Sequence, residues 1–355
     1  MKNKKKMALG TALIAGCLII GGTFAWFSTK DKVSNKFDMD AFDVAITEEF
    51  DQNPDVPLVP GATITKAVTV TNSGNMDVLV RVQLEEVLKL LARDTEAGKD
   101  KLKITYTAEK SPAEGQVPVI ISDDMIQAYK KAGYKENAEN VPVVQDVTVL
   151  QKITTADTDT NANTVYSYVA YVTDTKQVVK VTPQGPDKSK PTGFNVEYAY
   201  HTYKNNNKDG VTAIHGKEDT NLDTYYGNGT FHDAVVLNFA ENVQTDGGIL
   251  LGTTKWYLGK DGYFYYTEKL AGNSISAPLL KSVSIAKEAG NLLQGAHYEL
   301  NPMMEATQTD HEAVKGNWID LNYTYNANTP DGAVNSNDTA GINQLIANIL
   351  NKKNN

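Results

Sequence analysis

Apolar side chains recur at every second position over most of this chain, and this spacing constrains the fold more than any other feature. Residues two apart on an extended strand share one face of a sheet, so the alternation predicts strands with one buried face. Two such runs flank a turn that contains a glycine, and they predict an antiparallel hairpin. The runs of this hairpin are residues 62–71 and 78–84, and further strands are predicted at 143–153, 164–173, 177–181, 194–203, 234–239, 256–258, 263–266, 279–285 and 298–305.

Many short strands with Gly and Pro turns and few helices predict an all-β fold, a jelly-roll-like antiparallel β-sandwich. A helix is predicted after Ser122, whose side chain can cap it, with Gly133 as its end. Residues 85–93 are predicted to form a short helical turn because their apolar residues come in adjacent pairs. An apolar stripe at 338–350 predicts a C-terminal amphipathic helix, too short to span a bilayer, that packs on its own body, on a partner or on a membrane surface.

The predicted organisation has four parts. They are a signal peptide at 1–25, an N-terminal strand at 26–39, a β-sandwich at 40–308 with a loop- and helix-containing insertion at about 100–250, and a polar tail at 309–355.

The N-terminus carries an export signal. Four lysines precede a run of 21 uncharged residues, and small side chains before Ala25 predict cleavage between Ala25 and Trp26. Two alternatives stay open, a retained membrane anchor and lipoprotein processing at Cys17. Cleavage after Ala25 removes the single cysteine, so the exported protein would be neither a disulfide scaffold nor a thiol enzyme.

The segment behind the cleavage position makes a weak strand. Phe27, Val33, Phe37 and Met39 fall on odd positions among several lysines, whereas the apolar residues from Phe42 onward fall on even ones. Apolar residues move from odd to even positions only where the strand has a bulge or a bend, or where one strand ends and another begins. The segment is therefore a poor strand with which to begin a core.

Composition and sequence motifs argue against nucleic-acid binding, metal binding and catalysis. A net charge of −9 with only two arginines excludes nucleic acid as a predicted partner. The five histidines lack metal-ligand spacing: His311 and Glu312 begin like a zinc-protease helix, but Lys315 stands where the second histidine belongs. The oxygen-rich stretch 157–163 resembles a calcium loop, but Ala162 and Tyr168 occupy its glycine and glutamate positions. We predict no catalytic residue, no metal and no cofactor, and the tyrosine-rich strand 263–266 is expected to be half core and half solvated.

Several stretches taken in order resemble a known family, the bacterial biofilm matrix fibre proteins of the TasA, camelysin and BsaA type, and most closely its BsaA branch. The stretches that carry the resemblance are residues 22–37, 60–61, 66–74, 80–82, 261–266, 278–283 and 304–308. The first of them is similar to the export signal and mature start that SipW-type signal peptidases process.

The resemblance implies a secreted jelly-roll subunit that polymerises with itself into extracellular fibres of a biofilm matrix or cell surface. In such fibres the segment freed by the signal peptidase completes a sheet in the next subunit. Phe27, Val33, Phe37 and Met39 would then fill grooves of the neighbour. The implied partners are other copies of the chain, a SipW-type signal peptidase and minor fibre or matrix components, with the membrane involved only during export.

Three alternatives accompany this expectation. The segment 26–39 can pair within its own chain or stay disordered instead of pairing with a neighbour. Camelysin-like members have been regarded as proteases, so a secreted protease is a second functional class. A cell-surface adhesin or binding sandwich that uses the aromatic strands and long loops is a third.

Overall fold

The structure is a computed structural model. It describes residues 25–28, 32–33, 44–51, 60–94, 101–136, 138–155, 164–187, 190–217, 221–227, 229–245, 252–289, 291–324 and 341–351.

The described residues form twenty strands and five α-helices, together with short 3-10 helices at Lys204–Asn206, Lys287–Ala289 and Ile319–Leu321. The strands are β1 (Ala25–Ser28), β2 (Lys32–Val33), β3 (Val44–Asp51), β4 (Thr63–Asn72), β5 (Val78–Lys89), β6 (Thr105–Thr107), β7 (Gln116–Pro118), β8 (Lys135–Glu136), β9 (Val147–Thr155), β10 (Thr164–Val172), β11 (Val178–Gln184), β12 (Gly193–Thr202), β13 (Val211–Ile214), β14 (Val235–Phe239), β15 (Val243–Gln244), β16 (Trp256–Leu258), β17 (Tyr263–Tyr266), β18 (Ser274–Ile275), β19 (Leu280–Ile285) and β20 (Ala296–Gln308). The helices are α1 (Asp123–Lys131), α2 (Asn221–Tyr226), α3 (Phe231–Ala234), α4 (His311–Asn317) and α5 (Ile342–Asn351).

The chain divides into two compact units. One, here called the middle unit, contains Leu91–Asn206, and the other, here called the sandwich unit, contains Thr23–Leu90 and Asn207–Asn355. The mostly antiparallel strands confirm the predicted all-β class. The predicted insertion of about 100–250 overlaps the middle unit, but residues 207 to 250 group with the sandwich unit.

The sandwich unit is built from two sheets around one core. The first sheet has the order β1-β20-β5-β17-β16-β15, with β2 also on β20 and β13 also on β5. The second has the order β14-β19-β4-β18, with β3 also on β4. Alternate residues of both sheets point inward, and members of this core include Val68, Val82, Phe264 and Val283.

The predicted hairpin of residues 62–71 and 78–84 is wrong, although both strands exist. β4 and β5 lie in different sheets, so the turn between them is an arch. The buried Asn72 side chain supports this arch, because its amide donates to the carbonyls of Met76, Leu270 and Ala271. An arch and a hairpin give the same alternation in sequence, so the pattern alone does not separate them.

The predicted helical turn at 85–93 is also wrong, since β5 continues as a strand to Lys89. Its inward positions are Leu84, Glu86 and Leu88, all fully buried. A charged residue on the apolar face interrupted the alternation and left adjacent apolar residues that resemble a helical pattern.

The tyrosine-rich strand β17 is covered on both faces, so its expected solvated face is wrong. Phe264 lies in the core between the sheets, whereas Tyr265 lies in a second cluster that includes Trp318 and the inward residues of α5. The apolar stripe of α5 therefore packs on the protein's own body. The strands predicted at 256–258 and 263–266 are present as β16 and β17, and they pair as an antiparallel hairpin.

The middle unit is one seven-stranded sheet, in the order β6-β12-β11-β10-β9-β8 with β7 also on β12. The predicted helix is present as α1, and the Ser122 hydroxyl accepts a hydrogen bond from the Met125 N–H at 3.2 Å. Gly133 follows the helix with a φ of +93°, in the left-handed region that favours glycine.

Candidate functional site

The N-terminal strands lie on the outer edge of β20, on the side away from β5. They run parallel to β20: Ala25 lies opposite Ala296 and Val33 opposite Met304, in one continuous register. Without β1 and β2, β20 would expose a row of unpaired backbone N–H and C=O groups. This edge is the first candidate site, a surface for strand addition.

Pro302 indicates that β20 is built as an edge strand. It lies between the positions paired with β1 and those paired with β2. Proline has no N–H and is tolerated in a sheet where no partner needs that donor, which is at an edge.

The structure places only part of the predicted donor segment. Trp26 and Phe27 lie in β1, with Phe27 opposite Tyr298, and Val33 ends β2. Phe37 and Met39 lie outside the described residues. That these four side chains fill a groove of a neighbouring subunit stays a prediction.

The second candidate site is a buried carboxylate. Glu86 occupies an inward position of β5 and is 0% exposed, between the equally buried Leu84 and Leu88. A charged group in such a place is strongly unfavourable unless it is paired and hydrogen-bonded. Its partners therefore define the site.

Two histidines and a tyrosine surround Glu86. Its Oε2 lies 2.7 Å from Nε2 of His232 and 3.1 Å from Nδ1 of His215. The Tyr298 hydroxyl donates to Oε1 at 2.6 Å. The three ligand-type atoms of Glu86, His215 and His232 all lie within 4.8 Å of one another. We call these three residues the Glu-His-His cluster.

Local structure fixes both imidazoles. His215 follows β13, and its backbone N–H donates to the Leu84 carbonyl at 2.9 Å, which aligns it beside Glu86. His232 lies in α3, and its ring meets that of His215 edge to face at 4.8 Å. Packing of the His215 ring against Phe239 and Phe264 restricts it further.

The two histidines favour the charged form of the buried Glu86 carboxylate. Burial favours the neutral acid, but hydrogen bonds from His215 and His232 outweigh it and lower the pKa of Glu86 to about 2. Burial likewise opposes a charge on His232, yet the Glu86 carboxylate raises the pKa of His232. Burial, followed by the nearby Glu86 charge, raises the pKa of Tyr298 well above its ordinary value, so Tyr298 stays a donor.

Spacing along the sequence could not reveal this cluster, because its members come from β5, the end of β13 and α3. The available signal was Glu86 itself, an acidic residue at an inward position between Leu84 and Leu88. The alternation predicts an apolar residue there.

The N-terminal part of the chain is similar to a known protein family. Residues 1–169 match the family model described as camelysin metallo-endopeptidase. Over these residues, just under half of its length, the chain is similar to the camelysin family. This confirms the predicted TasA/camelysin resemblance, whereas the BsaA branch stays a prediction. No curated protein and no solved structure matches the chain.

The camelysin description implies a metal ion, and the Glu-His-His cluster fits one. Two imidazoles and a carboxylate are the protein ligands of Zn²⁺ in many catalytic sites, where the ion activates a bound water as a Lewis acid. Glu86 lies within the matched residues, whereas His215 and His232 lie beyond them. The family match therefore does not supply this donor set, which the fold assembles.

The remaining motifs contact other protein side chains where the structure describes them. His311 begins α4, and its Nδ1 lies 2.7 Å from the Tyr323 hydroxyl. The stretch 157–163 lies outside the described residues, and Tyr168 pairs with the Gln151 amide in the middle unit. Among the helices described, none is both long and apolar enough to cross a membrane.

Proposed function

We propose that this chain is an exported structural subunit that polymerises by placing its N-terminal strand on the β20 edge of the next copy. Within one chain β1 and β2 pair with the outer edge of β20, which is the first of the alternatives given above. This pairing supports the proposal only by identifying the β20 edge as one to which a terminal strand adds in parallel. This pairing uses backbone hydrogen bonds and a terminal segment, so the same edge accepts an identical segment from a neighbour.

The covalent connection permits the exchange. Residues 34–43 separate β2 from β3, which lies in the other sheet. Ten residues reach at most about 36 Å, enough to carry a strand from its own subunit to the edge of an adjacent one. A head-to-tail contact of this kind that does not close on itself produces filaments. The proposed product is an extracellular fibre in a biofilm matrix or at the cell surface, formed after a SipW-type peptidase cuts behind Ala25.

Cysteine pairing tests the proposal. Lys32 and Met303 lie opposite each other in the parallel register, and the only native cysteine, Cys17, precedes the predicted cleavage position. Secreted Lys32→Cys protein is mixed with secreted Met303→Cys protein under mild oxidation. A disulfide between the two chains is expected, because position 32 of one chain meets position 303 of the other only when the strand is donated to another copy.

The matched control replaces Met303→Cys by Ile275→Cys. Ile275 is exposed and lies in the other sheet, so it should not crosslink to position 32. The double variant in one chain should give a ladder of covalent oligomers. If it yields only internally bridged monomer, and the mixed single variants stay unlinked at high concentration, strand exchange is wrong.

A camelysin-type peptidase is the second candidate, favoured by the family description and by the donors of the Glu-His-His cluster. If the chain is such a peptidase, the purified protein should hydrolyse casein even after stringent purification. A chelator should inhibit this activity, and the His232→Gln variant should lack it. Retention of that activity in His232→Gln would assign it to a contaminant or to another site.

A further inference from the structure

We propose that Glu86, His215 and His232 bind one divalent transition-metal ion of the Zn²⁺ class, which ties α3 and the end of β13 to the central strand β5. The proposal concerns binding and stability. It depends neither on polymerisation nor on peptide hydrolysis.

The distances suit such an ion after a small adjustment. Zn²⁺ holds nitrogen and oxygen ligands at about 2.0–2.1 Å, which in a tetrahedron places the ligand atoms about 3.4 Å apart. Oε2 of Glu86 lies 3.1 Å from the nitrogen of His215 and 2.7 Å from that of His232. No two of the three atoms are more than 4.8 Å apart. Side-chain shifts of about 1 Å convert this hydrogen-bonded cluster into a coordination shell.

The surroundings orient the donors. Tyr298 occupies Oε1 of Glu86 and leaves Oε2 directed at the two imidazoles. Outer hydrogen bonds of this kind fix ligand orientation in metal sites. The imidazoles are nitrogen ligands, which suit Zn²⁺ and not Ca²⁺ or Mg²⁺.

The partly exposed side of the cluster gives the metal ion a path from solvent and leaves its fourth coordination position open. The Glu86 side chain is 0% exposed and that of His215 is 15% exposed, whereas that of His232 is 36% exposed. An ion held by the three residues therefore reaches solvent beside His232, where water completes the coordination. Because the ligands come from three elements far apart in sequence, the metal stabilises the folded chain and has no matching site in the unfolded one.

The test uses the full protein, purified without a histidine tag and stripped of metal with a chelator. Zn²⁺ is titrated against a chromophoric competitor, and Co²⁺ is added separately for its absorption spectrum. We expect one tight Zn²⁺ per chain and a Co²⁺ spectrum typical of four-coordinate nitrogen and oxygen ligation. At a hundredfold excess over Kd, Zn²⁺ should raise Tm by about 5–10 °C, and Ca²⁺ at the same concentration should not.

Two variants separate metal binding from hydrogen bonding. His215→Asn places an amide nitrogen near Nδ1, and His232→Gln places one near Nε2, so each can still donate to Glu86 in the metal-free protein. Each should keep the metal-free Tm within a few degrees yet weaken Zn²⁺ binding by at least about 100-fold. The matched control is His297→Gln, which alters a histidine 2.7 Å from Glu299 outside the cluster and should bind Zn²⁺ as the parent does.

Three results would overturn the proposal. The first is that the parent protein binds Zn²⁺ no more tightly than the two ligand variants do. In that case Glu86 belongs to a metal-free cluster of hydrogen bonds. The second is an equal loss of affinity in His297→Gln. The third is a Zn²⁺-induced rise in Tm that persists in both ligand variants.

Discussion

Replacing Arg81 by methionine should destabilise the sandwich unit by about 3 kcal/mol. Arg81 lies on β5 and is fully buried, next to Trp318 and Asp320, which follow α4. Its Nη2 lies 2.7 Å from Glu305 and 2.6 Å from Asp320. The guanidinium also lies over the rings of Tyr263 and Trp318, at 3.9 and 4.9 Å from their centres.

The magnitude follows from what the substitution leaves behind. Removing one partner of a buried ion pair costs about 3–5 kcal/mol, chiefly because the other charge stays buried. The Glu305 side chain is 18% exposed and would keep an uncompensated charge, whereas that of Asp320 is 53% exposed and can hydrate. The low end of the range therefore applies. Methionine still packs on the two aromatic rings, so part of their contact energy is retained.

Urea unfolding followed by tryptophan fluorescence measures the effect, because Trp318 lies beside Arg81 and Trp256 lies in the same unit. Asp320→Asn should cost less than about 1 kcal/mol, since half-exposed ion pairs contribute little. Arg93→Met, in the middle unit, should leave the tryptophan transition unchanged. A loss below about 1 kcal/mol for Arg81→Met, or an equal loss for Asp320→Asn, would refute the reasoning.

Four other substitutions have defined outcomes. Ser122→Ala should cost about 1 kcal/mol and speed amide exchange at the start of α1, because it removes the cap. Gly210→Ala should lower Tm with a loss of at least about 2 kcal/mol, since its φ is +73° and a Cβ would collide with the Leu88 carbonyl. Ile346→Asp, at a site 1% exposed, should cost about 3 kcal/mol in the same fluorescence assay. Burial raises the pKa of Asp261 above 3.8, so the folded state favours the protonated carboxyl. The stability that Asp261 contributes is therefore lost as pH rises through its folded pKa, and Asp261→Asn should flatten that part of a Tm–pH profile.

The sequence predicts where strands lie far better than which strands pair. Alternation depends on one buried face, so the positions of β9 to β12, of β14 and of β16 and β17 follow from it. Pairing depends on contacts between distant residues, and the arch between β4 and β5 shows the consequence. Asn72 supports that arch through Leu270 and Ala271, nearly two hundred residues away. A local pattern carries no information about such contacts.

Glu86 explains both a wrong prediction and a missed site. Its position on the apolar face of β5 broke the alternation and suggested a helical turn at 85–93. The same position placed a carboxylate in the core, where only partners such as His215 and His232 make it tolerable. An interruption of an otherwise regular strand pattern by a charged residue is thus a signal for a buried polar site, and it is detectable before the fold is known.

Strand β20 serves the two candidate sites through different groups. Its backbone N–H and C=O groups form the edge that pairs with β1 and β2, with Phe27 opposite Tyr298. The Tyr298 side chain points into the core and donates to Glu86. Exchanging the N-terminal strand for an identical one from a neighbour restores the same backbone hydrogen bonds and leaves the Tyr298 hydroxyl in place. Strand addition and the Glu-His-His cluster are therefore physically separable, and a change in one does not by itself require a change in the other.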